Sequence, residues 1–113
     1  IMTRAYLDEI GQADNPASEL LVRMLPFYQE FHANTYSLDG GIYTHDFSAI
    51  AYVLDPSLFR TESWPLYVET DGRCAGQTIP DQRSQWRNLP VINGCLEVHA
   101  SRLTALYKEH LTR

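Results

Sequence analysis

The stretch that decides the fold reads Thr44-His45-Asp46-Phe47-Ser48-Ala49-Ile50-Ala51-Tyr52-Val53-Leu54 and is followed by Asp55-Pro56. Its helical part is apolar almost all round, a pattern typical of a buried helix rather than a surface one. The rest of the chain supplies only a few helices and two or three short strands to cover it. We therefore expect that the chain either associates with another chain or forms part of a larger fold.

The residues before this stretch predict two helices. A short helix spans about residues 3–10, with Thr3 as its cap. Asn15 and Pro16 are typical of a second helix start, because Asn accepts from free N–H groups and proline fits the first helical position. The second helix carries an apolar stripe over residues 20–31, and Pro26 inside it predicts a kink. A loop with paired glycines follows at residues 37–41.

The residues after it predict a small sheet and a closing helix. Strands are expected over residues 64–70 and 77–79, joined by a hairpin at Asp71-Gly72. Pro65 is expected at the start of its strand or on a sheet edge. Apolar residues alternate over residues 92–98, which indicates a further strand, and the final helix presents a stripe over residues 103–110. The order of elements indicates a mixed α/β fold.

The composition of the chain argues against several classes of function. The 113 residues are one domain's worth of chain, with a net charge of −5 and nine basic residues that form no run. This balance argues against nucleic-acid binding, which requires a clustered basic surface. No apolar run is long enough for a membrane span, and the opening residues lack a signal-peptide pattern, so we expect a cytoplasmic protein. Cys74 and Cys95 lack metal-site spacing and are interpreted as reduced, buried thiols.

The pair His45-Asp46 is the principal candidate for chemistry. An aspartate at a helix start is held rigidly, which suits it to bind a hard cation such as calcium. A histidine beside it could donate a proton to a leaving group near neutral pH. A structural explanation fits the pair as well, with Asp46 as a helix cap and His45 as a hydrogen-bonded structural residue.

The other candidate site residues are supported by weaker sequence patterns. His32 and Tyr36 cluster at the end of the second helix, where they could stack on a planar ligand or simply form an aromatic helix end. The acidic residues flanking the hairpin are expected to be solvated; they are Glu69, Asp71 and Asp81. The sequence contains no phosphate-binding glycine motif, no Cys/His zinc spacing and no GxSxG elbow.

Several phrases, taken in order, resemble the C-terminal region of the inosine-uridine-preferring nucleoside hydrolases. In that family a His-Asp pair opens a buried helix that ends in a similar Asp-Pro, x-Leu-Phe phrase. The matching phrases are Leu38-Asp39-Gly40-Gly41, Thr44-His45-Asp46, Ala49 to Phe59, Val68-Glu69-Thr70-Asp71-Gly72 and Gly76-Gln77-Thr78-Ile79-Pro80-Asp81. The resemblance extends back through Phe27-Tyr28 and Phe31-His32 and covers nearly the whole chain.

The resemblance implies a calcium-dependent enzyme that hydrolyses the N-glycosidic bond of ribonucleosides to ribose and free base. It implies that Asp46 is a calcium ligand and that His45 assists departure of the base. His32 and Tyr36 would border the base pocket. The implied fold is the C-terminal portion of an open, mostly parallel, Rossmann-like α/β fold, contributing helices, a short hairpin and one further strand. A role in nucleoside catabolism or purine and pyrimidine salvage, and a homo-oligomer, are expected with it.

Two features depart from the family pattern. Phe47 stands where the family usually has proline after His-Asp. The aspartate-rich motif that supplies most calcium ligands and the general base is absent from these residues. We therefore expect residues 1–113 to be a single segment of a hydrolase domain, partnered by the remainder of that chain and inactive alone. One aspartate cannot provide the six to eight oxygens that calcium takes.

Two alternatives remain open at this point. The first is a non-catalytic α/β interaction module that retains the scaffold without the chemistry and buries the helix of residues 47–54 against a partner. The second is an unrelated metal hydrolase that combines His45 and Asp46 with other acidic residues. Neither purine nor pyrimidine preference follows from the sequence.

Overall fold

The computed structural model describes residues 1–86 and 88–113 and divides them into two compact units. A helical unit comprises residues 1–58 and 99–113, and a sheet unit comprises residues 59–98. The elements in chain order are α1 (Arg4–Ile10), α2 (Pro16–Tyr36), α3 (His45–Leu54), β1 (Phe59–Val68), β2 (Thr78–Pro80), β3 (Val91–Val98) and α4 (Ala100–Leu111). The predicted helices and strands are confirmed, most with longer bounds than the sequence indicated.

The first two helices begin where the sequence predicts. Thr3 precedes α1, and its hydroxyl accepts a hydrogen bond from the backbone N–H of Tyr6. Asn15 precedes α2, and its Oδ1 accepts from the N–H of Ser18 at 2.9 Å. Each cap therefore satisfies one of the N–H groups that a helix start leaves without a partner. Pro26 lies inside α2, which continues through it to Tyr36.

The core of the helical unit lies between α1, α2 and the chain just before α3. Met2, Leu7, Leu25 and Ile42 form a buried apolar cluster. Met2 and Ile42 also pair through two backbone hydrogen bonds of 2.9 Å, which hold the approach to α3 against the start of the chain. The entry to α3 is thus fixed by both packing and backbone pairing.

The apolar helix α3 is only partly covered in this chain, in agreement with the predicted shortage of packing partners. Ala51 is buried, but Ile50 and Val53 are 58% and 80% exposed. Leu54 is also more than half exposed. An apolar helix loses its solvent exposure only if other elements cover it, and the described residues do not cover this face.

The sheet unit contains three antiparallel strands in the order β2-β1-β3. The predicted pairing around Asp71-Gly72 is confirmed, but the connection is longer than a two-residue hairpin. It runs over residues 69–77 and includes a 3₁₀ turn at Gly72–Cys74, which Asp71 caps through a bond from the N–H of Gly72. The chain enters this unit after Leu58 and leaves it before His99, and the N–H of His99 donates to the carbonyl of Leu58 at 2.8 Å.

Pro65 lies in the middle of the central strand, not at a strand start or sheet edge as predicted. It pairs with Val91, the first residue of β3, while pairing with β2 begins one residue later at Leu66. Its carbonyl accepts from the N–H of Asp81 at 2.9 Å. Proline cannot donate a backbone hydrogen bond to a neighbouring strand. It is tolerated here because the pairing of β1 with β3 ends at Pro65 and the pairing of β1 with β2 begins only at Leu66.

Two further predictions about the sheet unit need correction. Cys74 and Cys95 are exposed rather than buried, because one lies in the 3₁₀ turn and the other on a strand that is largely uncovered. Asp81 is buried, with 5% of its surface exposed, rather than solvated. Its carboxylate accepts from backbone N–H groups of the next turn, the shortest at 2.7 Å from Trp86. These bonds, that from Trp86 first, lower the pKa of Asp81.

Candidate active site

His45 and Asp46 occupy the first turn of α3. The cap position belongs to Thr44, whose side chain makes no capping hydrogen bond. The interpretation of Asp46 as the cap is therefore wrong: the helix begins two residues earlier than that interpretation requires. Asp46 still gains from the positive end of the helix dipole, and both side chains are exposed.

A pocket of about 310 Å³ opens beside this helix start, entirely within the helical unit. His45 and Asp46 lie on its rim, and most of its remaining wall is apolar or aromatic. The other lining residues are Leu21, Met24, Leu25, Tyr28, Ile42, Tyr43, Thr44, Phe47 and Tyr107. A titratable pair beside an apolar, partly aromatic wall is the arrangement expected where a planar ligand is bound and protonated.

Tyr43 contacts the imidazole of His45 directly. The two ring centroids are 5.5 Å apart and the ring planes are inclined by 27°, a stacked arrangement. Within residues 1–86 and 88–113, no hydrogen bond reaches either ring nitrogen of His45, and no other ring contacts it. The stack with Tyr43 is therefore the one ring contact of His45 within the described residues.

Tyr43 was not among the site residues predicted from the sequence. Its signal was an aromatic residue two positions before the candidate histidine. Thr44 between them has a φ of −120° and a ψ of 70°, which is neither helical nor fully extended, and with this backbone conformation the two rings stack.

His32 and Tyr36 lie close together, as their spacing on a helix suggests, but in different environments. His32 is only 2% exposed, and its Nδ1 lies 2.8 Å from the carbonyl oxygen of Tyr28. Tyr36 is 47% exposed. Both rings contact Tyr43, at centroid distances of 5.9 and 5.3 Å. A substrate contact at either residue stays a prediction, and burial of His32 favours a supporting role for its ring.

Phe47 fills the position where the family pattern has proline. Its ring meets that of Tyr107 edge to face, with centroids 4.6 Å apart. Such pairs add roughly 0.5–1.5 kcal/mol beyond area burial. The substitution thus ties the first turn of α3 to α4.

The donor set does not make a calcium site by itself. Asp46 is the one carboxylate among the pocket-lining residues, and the part of the chain that the structure describes contains no group of three or more side chains suited to hold a metal ion. Calcium takes six to eight oxygens, so this chain fits a calcium ion only as the donor of a single carboxylate.

The chain is similar to known proteins of one family. The model of the family described as inosine-uridine preferring nucleoside hydrolase matches residues 1–105. The chain belongs to this nucleoside hydrolase family. The predicted resemblance to the C-terminal region of the family is thereby confirmed.

Individual nucleoside hydrolases agree with the assignment. Uridine nucleosidase 1 of Arabidopsis thaliana is 36% identical over 76 residues, which are 66% of this chain and 22% of that protein. The pyrimidine-specific ribonucleoside hydrolase RihA of Klebsiella pneumoniae is 29% identical over 95% of this chain and 35% of its own. The solved plant nucleoside hydrolase PpNRh1 superposes with a TM-score of 0.85 and 28% identity over 97% of this chain and 36% of its own.

The coverage and the superposition describe how this chain relates to whole nucleoside hydrolases. It spans about a quarter to a third of the length of the relatives it matches. Its helices and small antiparallel sheet are a portion of the α/β fold of the family, as the sequence predicted. None of the helices found in the described residues is both long enough and apolar enough to cross a membrane.

Proposed function

We propose that this chain is the C-terminal part of an enzyme that hydrolyses the N-glycosidic bond of ribonucleosides to ribose and free base, and that it supplies the His-Asp half of the active site. The observation that carries the proposal is the placement of His45 and Asp46 together on the rim of an aromatic pocket in a member of the nucleoside hydrolase family. The names of the relatives support action on a nucleoside.

His45 has the role of proton donor to the departing base. As the N-glycosidic bond breaks, its electron pair moves to the base nitrogen, and a proton from the imidazole neutralises the charge that develops there. The exposed ring at the pocket rim can reach a ligand in the pocket without a change of backbone. Tyr36 is a further candidate for contact with the base, because its ring is half exposed beside Tyr43.

Asp46 has the role of one ligand to a calcium ion whose other ligands come from the remainder of the hydrolase chain. The proposal rests on its carboxylate, which is free of hydrogen bonds and ion pairs within the described residues and faces the same pocket as His45. The residues present do not form the whole calcium site. The chain alone is accordingly expected to be inactive. A cytoplasmic location and a homo-oligomer stay predictions.

The test is release of free base from inosine and uridine, with calcium and then with a chelator. We expect no release by the 113-residue chain alone and calcium-dependent release by the full-length hydrolase that contains it. Asp46→Asn in the full-length protein should weaken calcium binding and lower kcat/KM by about 100-fold or more. His45→Ala should lower kcat by about 10²–10⁴-fold.

Matched controls are available in the helical unit. Asp8 and His110 are exposed residues away from the pocket, so Asp8→Asn and His110→Ala should leave base release unchanged. Absence of base release by the full-length protein would overturn the enzymatic proposal and favour the non-catalytic interaction module. Calcium-dependent release by the 113-residue chain alone would overturn the assignment of the missing ligands to the rest of the chain.

A further inference from the structure

We infer that Tyr43 is a positioning residue, which holds the imidazole of His45 in the orientation needed to protonate the departing base. This inference rests on the proposed function, since it concerns the same site and the same proton transfer. Tyr43 would act through His45 and would not itself exchange a proton with the substrate.

The contact geometry is the first support. The Tyr43 and His45 rings stack at 5.5 Å and 27°. A histidine ring rotates about two side-chain bonds, and hydrogen bonds to its nitrogens are the usual means of fixing it. Since no such bond reaches His45 within the described residues, the face of Tyr43 is what restricts the ring.

The second support is that Tyr43 is itself held in place. One residue earlier, Ile42 is buried and pairs with Met2 through two backbone hydrogen bonds. The Tyr43 ring also meets Tyr36 edge to face, at 5.3 Å and 87°, and contacts the buried ring of His32. Contacts therefore run without a break from the core of the helical unit to His45.

Proton transfer to the departing base explains why the orientation of His45 would matter. Proton transfer requires the donating nitrogen to lie within hydrogen-bond reach of the base nitrogen and to point at it. Misplacing a reacting group by about 1 Å can cost about 100-fold in rate. The stack engages the face of the imidazole rather than its edge, where both nitrogens lie, so this contact does not occupy the atoms that would transfer the proton.

The structural arm of the test uses nuclear magnetic resonance on the unsubstituted 113-residue chain. Nuclear Overhauser contacts are expected between the ring protons of Tyr43 and those of His45, whose resonances should be shifted by the tyrosine ring current. In Tyr43→Leu that shift should disappear, and in Tyr43→Phe it should persist, since the aromatic face remains. Absence of these contacts in the unsubstituted chain would overturn the inference whether or not the leucine variant folds.

The kinetic arm uses the full-length hydrolase. Tyr43→Leu should lower kcat by about 10- to 100-fold with KM changed less than about twofold, because orientation acts on the proton transfer rather than on ground-state binding. Tyr43→Phe should restore kcat. Tyr67→Leu is the matched control, because Tyr67 lies in the sheet unit and contacts Trp86; it should leave kcat unchanged.

The two arms separate the possible failures. If Tyr43→Leu moves the His45 resonances and leaves kcat unchanged, the stack is structural and the positioning role is wrong. If Tyr43→Phe loses as much kcat as Tyr43→Leu, the hydroxyl matters rather than the ring face, and the inference is again wrong. If the unsubstituted hydrolase releases no base, the proposed function fails and the positioning role fails with it, whereas the resonance data still decide whether the stack exists.

Discussion

At the residue scale, Tyr6 shows how a single, partly buried side chain makes stability depend on pH. Its hydroxyl donates to the carbonyl oxygen of Thr104 and so joins α1 to α4. Burial, followed by the charge that Tyr107 would carry, raises the pKa of Tyr6 to about 12. The phenol thus holds its proton more tightly in the folded chain than in the unfolded chain.

We expect the stabilisation from Tyr6 to be complete below pH 10 and to be lost as pH rises through 10 towards 12. The unfolded chain loses the tyrosine proton first, so the free energy of unfolding falls across this window. Urea unfolding at several alkaline pH values measures it. Tyr6→Phe keeps the ring and should flatten this part of the profile. An equally steep profile in the variant would contradict the prediction.

Residue-scale prediction succeeded for side chains whose chemistry is local. Thr3 and Asn15 were identified as caps because a helix cap depends on residues three positions apart. Tyr43 was missed, because the importance of its ring depends on the conformation of Thr44 and on contacts with α2. Asp81 was predicted to be solvated and is buried for a related reason: only the turn that follows it brings three N–H groups to its carboxylate.

At the element scale, Asn15 acts on two helices. Its Oδ1 caps α2, while its Nδ2 donates to the carbonyl of Leu111 in α4 at 2.8 Å. One side chain therefore satisfies a donor at one helix start and an acceptor near another helix end.

Replacing Asn15 separates these two bonds. Asn15→Ala removes both and should lower the free energy of unfolding by about 1–2 kcal/mol. Asn15→Ser keeps a capping oxygen but is too short to reach Leu111, so it should cost about half as much. Asp14→Ala alters an exposed neighbour and should stay within about 0.5 kcal/mol of the unsubstituted chain. Equal losses for Ala and Ser, measured by urea unfolding, would show that the cap contributes nothing.

At the scale of the whole molecule, the exposed apolar face of α3 agrees with the predicted shortage of elements to cover it. The sequence pattern is that of a buried helix, and the structure leaves Ile50, Val53 and Leu54 exposed. The apolar pattern indicates the environment for which the helix is suited, and the small number of other elements indicated that this chain does not provide it. The chain spans about a third of the length of its relatives, and we expect the remainder of the hydrolase to cover this face.

The Val53→Ser substitution tests this explanation. In the 113-residue chain, where Val53 is exposed, it should change the free energy of unfolding by less than about 0.5 kcal/mol. In the full-length hydrolase it should cost more than about 1 kcal/mol, because there the side chain would be covered. Leu103→Ala, at a buried position, should cost about 2–5 kcal/mol in either protein. Equal, negligible effects of Val53→Ser in both would show that nothing covers this face.

The hydrogen bond between His99 and Leu58 has an evolutionary consequence. Residues 59–98, which hold the three strands, leave the helical unit after Leu58 and return to it at His99, where the backbone hydrogen bond joins the two ends. A change in length inside this segment would leave that bond in place, because the bond depends only on the two ends of the segment. We therefore expect changes of length to be tolerated better at exposed turns within residues 59–98 than between Ile42 and Ala49, where the stacked rings and the His-Asp pair depend on the spacing of the chain.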